Sequence, residues 1–326
     1  LMKMEKNEKK KTFREDVAKM FVEALKEDPI EFIRGWDFTS SYPENAFTGK
    51  RYKGVNLIYL SLISKKMGYD DYRWMTFKQI TEKGYHLTAG SKGTKVEYWL
   101  PYDRKEKKWA TWSEFKDNSN DELEDGSERY LLRARYYTVF NASMIEGIEA
   151  LELDYEKHDI DEEELIERIS DRLGVTIEEK ENSSSAYYMP FTDEILLPEK
   201  EQFHSQEDYV RTALHELGHS TGHESRLNRD IHNTFGTKKY AYEELVAEIT
   251  SALMGEFIEE PVTEHIVNQH KAYVQSWASA IENDKNFLFH AIKDAETAAD
   301  YIIEHAQLRE FEQEKLKKVK SAAFEF

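Results

Sequence analysis

The chain has 326 residues, no cysteine and a formal net charge of −19. Disulfides, thiolate metal sites and cysteine nucleophiles are therefore excluded, and no apolar run approaches the ~18 residues that signal a membrane span. The length predicts two domains. Their charges differ: residues 1–150 hold 27 Lys and Arg against 25 Asp and Glu, residues 151–326 hold 18 against 39, and the window 45–110 holds 14 against 6, which predicts different partners for the two halves.

Residues 12–28 place Phe13, Val17, Met20, Phe21, Ala24 and Leu25 on one side of an amphipathic helix, which Asp28-Pro29 ends. Trp36 to Gly54 is rich in turn formers. Val55 to Lys66 returns to helical spacing, Arg73 to Gln79 is expected to open a short helix, and Lys83 to Leu100 alternates and turns like a β-hairpin. Asp117 to Glu128 is acidic and Ser/Asn-rich and reads as a mobile excursion. Tyr130 to Asn141 then alternates as a strand. Basic residues in this half are interleaved with rings, and unpaired nucleic acid needs both: cations for phosphate and flat rings for bases. Lys50, Arg51, Tyr52, Lys53, Arg73, Trp74, Lys78, Lys92 and Lys95 are the candidate contacts. Most of the rings in this half are expected in the core.

Residues 145–160 read as an acidic linker, which closes a first domain at 1–150 and opens a second at 151–326. Ile160 to Leu173 is a helix with a solvated acidic face. Val175 to Glu179, Tyr187 to Pro190 and Thr192 to Pro198 read as strands, the last expected as the edge on which a peptide would pair.

The most informative stretch follows, Thr212 to His223, with its His215-Glu216-Leu-Gly-His219 core. Residues four apart share a helix face, so the two imidazoles can bind one ion, while Glu216 sits one residue round, within reach of a water as general base. Tyr209, Val210, Ala213, Leu214 and Leu217 give the spacing of a buried helix, and Gly218 lets another backbone approach. A three-histidine site would need its last ligand where Ser225 stands, and His223 is displaced from it by two residues. The third ligand is therefore sought on the helix Tyr240 to Glu248. Glu244 is preferred to Glu243 because only Glu244 has a carboxylate, Glu248, one turn on; Glu248 is expected to hold an imidazole N–H from behind. The donor set suits Zn²⁺ or another divalent ion such as Mn²⁺. Tyr187, Tyr188, His223 and Arg226 are the candidates for stabilising an oxyanion. Ser225 to Asp230 is expected to form a polar loop over the cleft with its arginines in surface ion pairs. Two long helices, 261–283 and 286–317, bury Tyr273, Trp277 and Ile281, then Phe289, Ile292, Ala295, Ala299 and Ile302.

Taken together, these residues resemble the ArdC-type antirestriction proteins of plasmids and other mobile elements. The resemblance rests on Pro43-Glu-Asn45-Ala-Phe-Thr-Gly49, Tyr52-Lys-Gly-Val-Asn56, Arg73-Trp74-Met-Thr-Phe77-Lys78-Gln79, Gly90-Ser-Lys-Gly93 and Val139-Phe140-Asn141 in the first half. In the second half it rests on the two histidines with Glu216, Arg226-Leu-Asn-Arg229, Tyr240 to Glu248 and Tyr273-Val-Gln-Ser-Trp277. It implies a protein that protects incoming DNA from restriction, with single-stranded DNA and a protein or peptide substrate as partners; the lack of cysteine fits the cytoplasm, and the lack of an apolar run predicts no membrane partner. By position it carries the metal onto His215, His219 and Glu244 and the base onto Glu216. The expected fold is α+β, a mixed helix and antiparallel-sheet N-terminal domain followed by a mainly helical zincin-like metallopeptidase domain with a small sheet. The competing expectation is a DNA-binding shield whose metal site only buttresses the fold.

Overall fold

The computed structural model describes residues 12–27, 42–118, 120–151, 161–232, 234, 236–258 and 264–323. The start of the turn-rich loop and residues 152–160 of the acidic linker lie outside them. The fold is α+β, and it divides into two compact units that do not follow a single cut at 150. The larger unit takes α1 (Phe13–Glu27), α2 (Gly54–Met67) and the described residues after 160; the smaller takes residues 43–52 and 68–151. The reason is packing. The apolar face of α1, with Phe21 and Leu25 fully buried, lies on the helices near the C-terminus. Burying each such side chain is worth about 1.5–3 kcal/mol. Lys285 donates to Glu15 at 2.8 Å, and the backbone N–H of Gly54, at the start of α2, donates to Glu296 at 2.9 Å.

In the smaller unit a six-stranded sheet has the order β2-β1-β3-β7-β5-β6, from β1 (Glu44–Asn45), β2 (Lys50–Arg51), β3 (Arg73–Thr76), β5 (Thr94–Asp103), β6 (Lys108–Trp109) and β7 (Tyr130–Asn141). Only β1 and β3 pair in parallel. A two-stranded sheet joins β4 (His86–Leu87) to β8 (Ile145–Glu146). Arg73 to Thr76 is a strand rather than the start of a helix, because Trp74 and Met75 are buried on opposite faces between β1 and β7. Thr76 then caps α3 (Phe77–Glu82): its hydroxyl accepts from the N–H of Gln79, whose side chain accepts from the N–H of Thr76. Met75, Ile80 and Ile145 form the core of this side. The hairpin expected over 83–100 is not formed. Strand β5 instead pairs along its whole length with β7, from Thr94↔Val139 to Asp103↔Tyr130. After α4 (Trp112–Asp117) the acidic segment expected to be a mobile excursion closes on itself, with a Glu122↔Glu128 bridge and Arg129 bonded to both Asp103 and Asp121.

The larger unit holds α5 (Glu162–Leu173) and a three-stranded sheet of order β10-β11-β9, from β9 (Thr176–Lys180), β10 (Tyr187–Met189) and β11 (Glu194–Pro198). Strand β11, expected at the edge, is the middle strand, fully buried at Ile195 and Leu197, and β10 is an edge. Then come α6 (Gln206–Ser220), α7 (Lys238–Leu253), α8 (Glu264–Asn283), α9 (Lys285–His305) and α10 (Leu308–Ala323). The last expected helix is thus two, broken at Gln307, whose φ of 52° ends the run between the buried Ala306 and Leu308. Among the described residues no helix is long and apolar enough to cross a membrane.

Candidate metal centre

Helices α6 and α7 cross where α6 has Gly218. A Cβ at that position would stand 3.3 Å from the Ala247 Cα and 3.4 Å from its carbonyl oxygen, so glycine sets how closely the helices approach. Ser205 caps α6 and Thr237 caps α7, each accepting an N–H of the first turn. This fixes the rotation of both helices and turns His215, His219 and Glu244 toward one another. One ligand atom from each lies within 4.8 Å of the other two. The Nε2 atoms of His215 and His219 are 3.6 and 3.5 Å from the two oxygens of Glu244. Two neutral imidazoles and one carboxylate are the donors a borderline divalent cation takes.

The far nitrogens are held as well. His215 Nδ1 is 3.4 Å from Glu248, the partner expected from the sequence. His219 Nδ1 is 3.3 Å from Glu243, which the sequence reading had set aside. Glu243 is in turn gripped by Arg229, at 2.6 and 3.1 Å. The same guanidinium donates to the Gly218 carbonyl and to Thr221. The expected surface ion pairs of the 225–230 loop are therefore buried ties. Arg226 bonds Asp193, the Ser220 carbonyl and the Tyr188 hydroxyl, and its side chain is 4% exposed. Committed in this way, it does not serve as a substrate anchor.

The site's electrostatics follow from four buried carboxylates around two imidazoles. Burial opposes a charge on His219, but Glu243 and Glu244 outweigh it and raise its pKa to about 9. Burial opposes it at His215 too, and Glu244 and Glu248 lift that pKa well above the ordinary value. Burial works against charge on Glu244 as well, yet the two imidazoles hold its carboxyl far below the usual range. Such a pocket requires positive charge, as protons or as a metal ion competing with them. Glu216 behaves differently. Burial raises its pKa, the imidazoles counter this, and the backbone N–H of Tyr188, in edge strand β10, also favours its charged form.

The residues proposed for nucleic acid are dispersed. Trp74 is fully buried and Tyr52 is 4% exposed, so neither presents a ring to a base. Arg73 is tied to Asp71 and to the Glu149 carbonyl, and Lys53 lies 3.3 Å from Asp300 within the larger unit. Lys50, Arg51, Lys78, Lys92 and Lys95 are exposed. A surface missed by the sequence reading lies on one face of β5, β6 and β7, where the register sets Tyr98 opposite Arg135, Leu100 opposite Arg133, and Tyr102 opposite Trp109. Arg133 stacks over Tyr102 at 4.3 Å, and Arg135 lies over Trp109 and Tyr137 at 5.4 and 5.2 Å. Tyr98 and Trp109 are each 40% exposed. The signal was present in Arg133, Arg135 and Tyr137 at every second position, but that period pointed to a strand before it pointed to a ligand.

Two family models match the chain: the N-terminal domain of anti-restriction factor ArdC over residues 11–140, and a zincin-like metallopeptidase over residues 164–294. A DNA primase TraC of Escherichia coli is 39% identical over 93% of the chain, which spans 28% of that primase. Protein y4eC of Sinorhizobium fredii is 29% identical over 90% of the chain and 91% of its own length. Crystal structures of the antirestriction protein ArdC from plasmid R388, metal-free and Mn(II)-bound, superpose with TM-scores of 0.70 and 0.69 at 29% identity. Each match covers 91% of this chain and 98% of that one.

Proposed function

The chain belongs to the ArdC-type antirestriction proteins, and from that premise we propose a two-part effector of the cytoplasm, one part binding single-stranded DNA and the other hydrolysing peptide bonds with a divalent metal. The observation that carries the second part is the convergence of His215, His219 and Glu244, with Glu216 between them and the edge strand. When bound, the cation, Zn²⁺ or Mn²⁺, supplies Lewis acidity to the scissile carbonyl and to the attacking water. Glu243 accepts the Nδ1–H of His219, and Glu248 faces Nδ1 of His215 at 3.4 Å, so both carboxylates favour the tautomer whose Nε2 is free for the ion. A peptide pairing with the free edge of β10 would lie alongside Glu216. Glu216 takes the proton of the water as its oxygen bonds to the carbonyl carbon. It then gives that proton to the amide nitrogen as the C–N bond breaks. The raised pKa of Glu216 suits a group that must both take and release a proton.

The DNA-binding part is supported by the ring and arginine face of β5, β6 and β7 together with the exposed lysines of the smaller unit. Rings stack bases of any sequence while the cations follow the phosphates. One experiment tests both parts. Full-length wild type, Glu216→Gln and Arg133→Ala/Arg135→Ala are compared for metal content, hydrolysis of a mixed peptide library, and protection of incoming DNA from restriction. Glu216→Gln is expected to keep the metal and lose hydrolysis. If it still hydrolyses the library, the base is misassigned. If it loses hydrolysis yet protects as well as wild type, the protein acts as a DNA-binding shield, the alternative reading.

A further inference from the structure

Of the oxyanion candidates from the sequence, Tyr187 is 42% exposed on β10 and His223 bonds Ser225 at 2.8 Å, whereas Tyr188 and Arg226 bond each other. Arg226 has five N–H donors, and each has an acceptor. Its Nε donates to the Ser220 carbonyl at 2.7 Å. One terminal nitrogen donates to the Leu173 carbonyl at 3.3 Å and to Asp193 Oδ2 at 3.0 Å. The other donates to Asp193 Oδ1 and, at 3.3 Å, to the Tyr188 hydroxyl. That hydroxyl in turn donates to Asp193 Oδ1 at 2.7 Å. One guanidinium thus gathers the end of α5, the end of α6, strand β10 and the turn between β10 and β11. Ser220 follows the ligand His219 directly in the chain. Strand β10 has need of such a clasp. It is three residues long and, among the described residues, pairs only with β11, from Tyr187↔Leu196 to Met189↔Glu194. The turn beyond it is closed by the Asp193 N–H on the Met189 carbonyl at 2.9 Å, with Asp193 in the left-handed region at φ 57°. So short a ribbon is marginal by itself, and a mobile strand would have to be ordered each time a peptide paired with it.

We propose that Arg226 is a positioning residue for the peptide. Through Asp193 and the Tyr188 hydroxyl it holds β10 at a set distance from α6, the helix that carries His215, Glu216 and His219. A backbone paired with the strand then brings its scissile carbonyl to one place over the ligands. The planar fork of an arginine on a carboxylate fixes orientation as well as distance. Arg226 moves no proton and touches no reacting atom. This inference rests on the peptidase reading and on the peptide lying along β10. It separates two kinds of ligand: a chain long enough to pair with β10 gains from the clasp, whereas a small chelator that reaches only the metal does not.

The test does not need the natural substrate. Full-length wild type, Y188F, D193N, R226K and Y209F are loaded with Zn²⁺, assayed for metal content, and titrated calorimetrically with acetohydroxamate and with a tetra-alanine hydroxamate. Both ligands chelate the metal, and only the second has a backbone to pair. The readout is the ratio of the two affinities at equal metal content. Wild type is expected to favour the peptide by about tenfold or more, the worth of two backbone hydrogen bonds. Y188F removes one hydroxyl from the clasp, D193N removes its charge, and R226K keeps the charge but brings three donors to five acceptors. Each is expected to lose most of that preference. Y209F removes a comparable hydroxyl, bonded to Glu179 on β9 at 3.0 Å, and is expected to keep it. The proposal is overturned if Y188F and D193N keep the wild-type ratio, or if Y209F loses it as they do. A wild-type ratio near one shows that the peptide does not lie along β10. Wild type that holds no metal, or takes neither hydroxamate, overturns the peptidase reading itself, so the two failures give different results.

Discussion

Arg229 shows how much of this site rests on one side chain that touches no ligand atom. Removing it leaves Glu243 buried without its cation and frees the Gly218 carbonyl and Thr221. Breaking a buried pair of this kind costs about 3–5 kcal/mol. Arg229→Met is therefore expected to lower the melting temperature, and to weaken metal binding by about 10–100-fold through a misoriented His219; calorimetry and metal titration measure the two effects. Glu216→Gln is expected to cost about 100-fold or more in kcat with metal affinity nearly unchanged, read by peptide hydrolysis and elemental analysis. The imidazoles give a pH prediction. Burial disfavours a proton on His219, but the adjoining carboxylates raise its folded pKa to about 9, above the unfolded ~6.5. A raised pKa stabilises the fold fully below the unfolded value and loses that contribution as pH rises through the folded one. Chelator-treated protein should therefore melt at progressively lower temperature from about pH 6.5 to about pH 9. Metal-loaded protein, whose imidazoles are already unprotonated, should show a smaller fall over that window. Thermal scans of both forms at matched ionic strength decide it.

At the scale of elements, the crossing of α6 and α7 is the feature most open to a single substitution. Gly218→Ala would gain about 1 kcal/mol in helix propensity, but the new methyl would press on the backbone of Ala247 at 3.3 Å, which has no side-chain freedom with which to yield. Overpacking costs about 1–3 kcal/mol, so a net loss is expected. Because the helices would part at the ligands, metal affinity should fall more than stability does, a comparison that titration and melting make together. The same crossing shows what was legible in the sequence. His215, His219, Glu244 and Glu248 were readable because helical periodicity alone fixes their faces, and the sequence spacing did the rest. Glu243 was passed over because its partner, Arg229, comes from an irregular loop that no period describes. Strand partners failed for a related reason. Local alternation suggested that Lys83 to Leu100 folds on itself, whereas β5 finds β7 across the whole acidic segment. The fate of Trp74 and Tyr52 was equally nonlocal: a ring beside a lysine looks like a base platform until burial is known.

For the whole molecule, the smaller unit's ring and arginine face predicts binding whose strength falls with salt. The slope against log salt should approach roughly −0.7 per phosphate contacted, and Trp109→Ala should cost about 1–3 kcal/mol with little change in that slope. Arg133→Ala should instead flatten it. Fluorescence anisotropy on an oligothymidine at several salt concentrations separates the two. The larger unit is assembled from three stretches of chain, since α1 and α2 join the C-terminal helices while the segments that follow them, 43–52 and 68–151, belong to the other unit. Genes that trade parts by a single crossover near codon 150 would therefore inherit two helices whose buried faces were shaped against another lineage's helices. Exchange at the seams of the fold needs several junctions at once, so relatives are expected to have diverged along their whole length together rather than by shuffling one half for another.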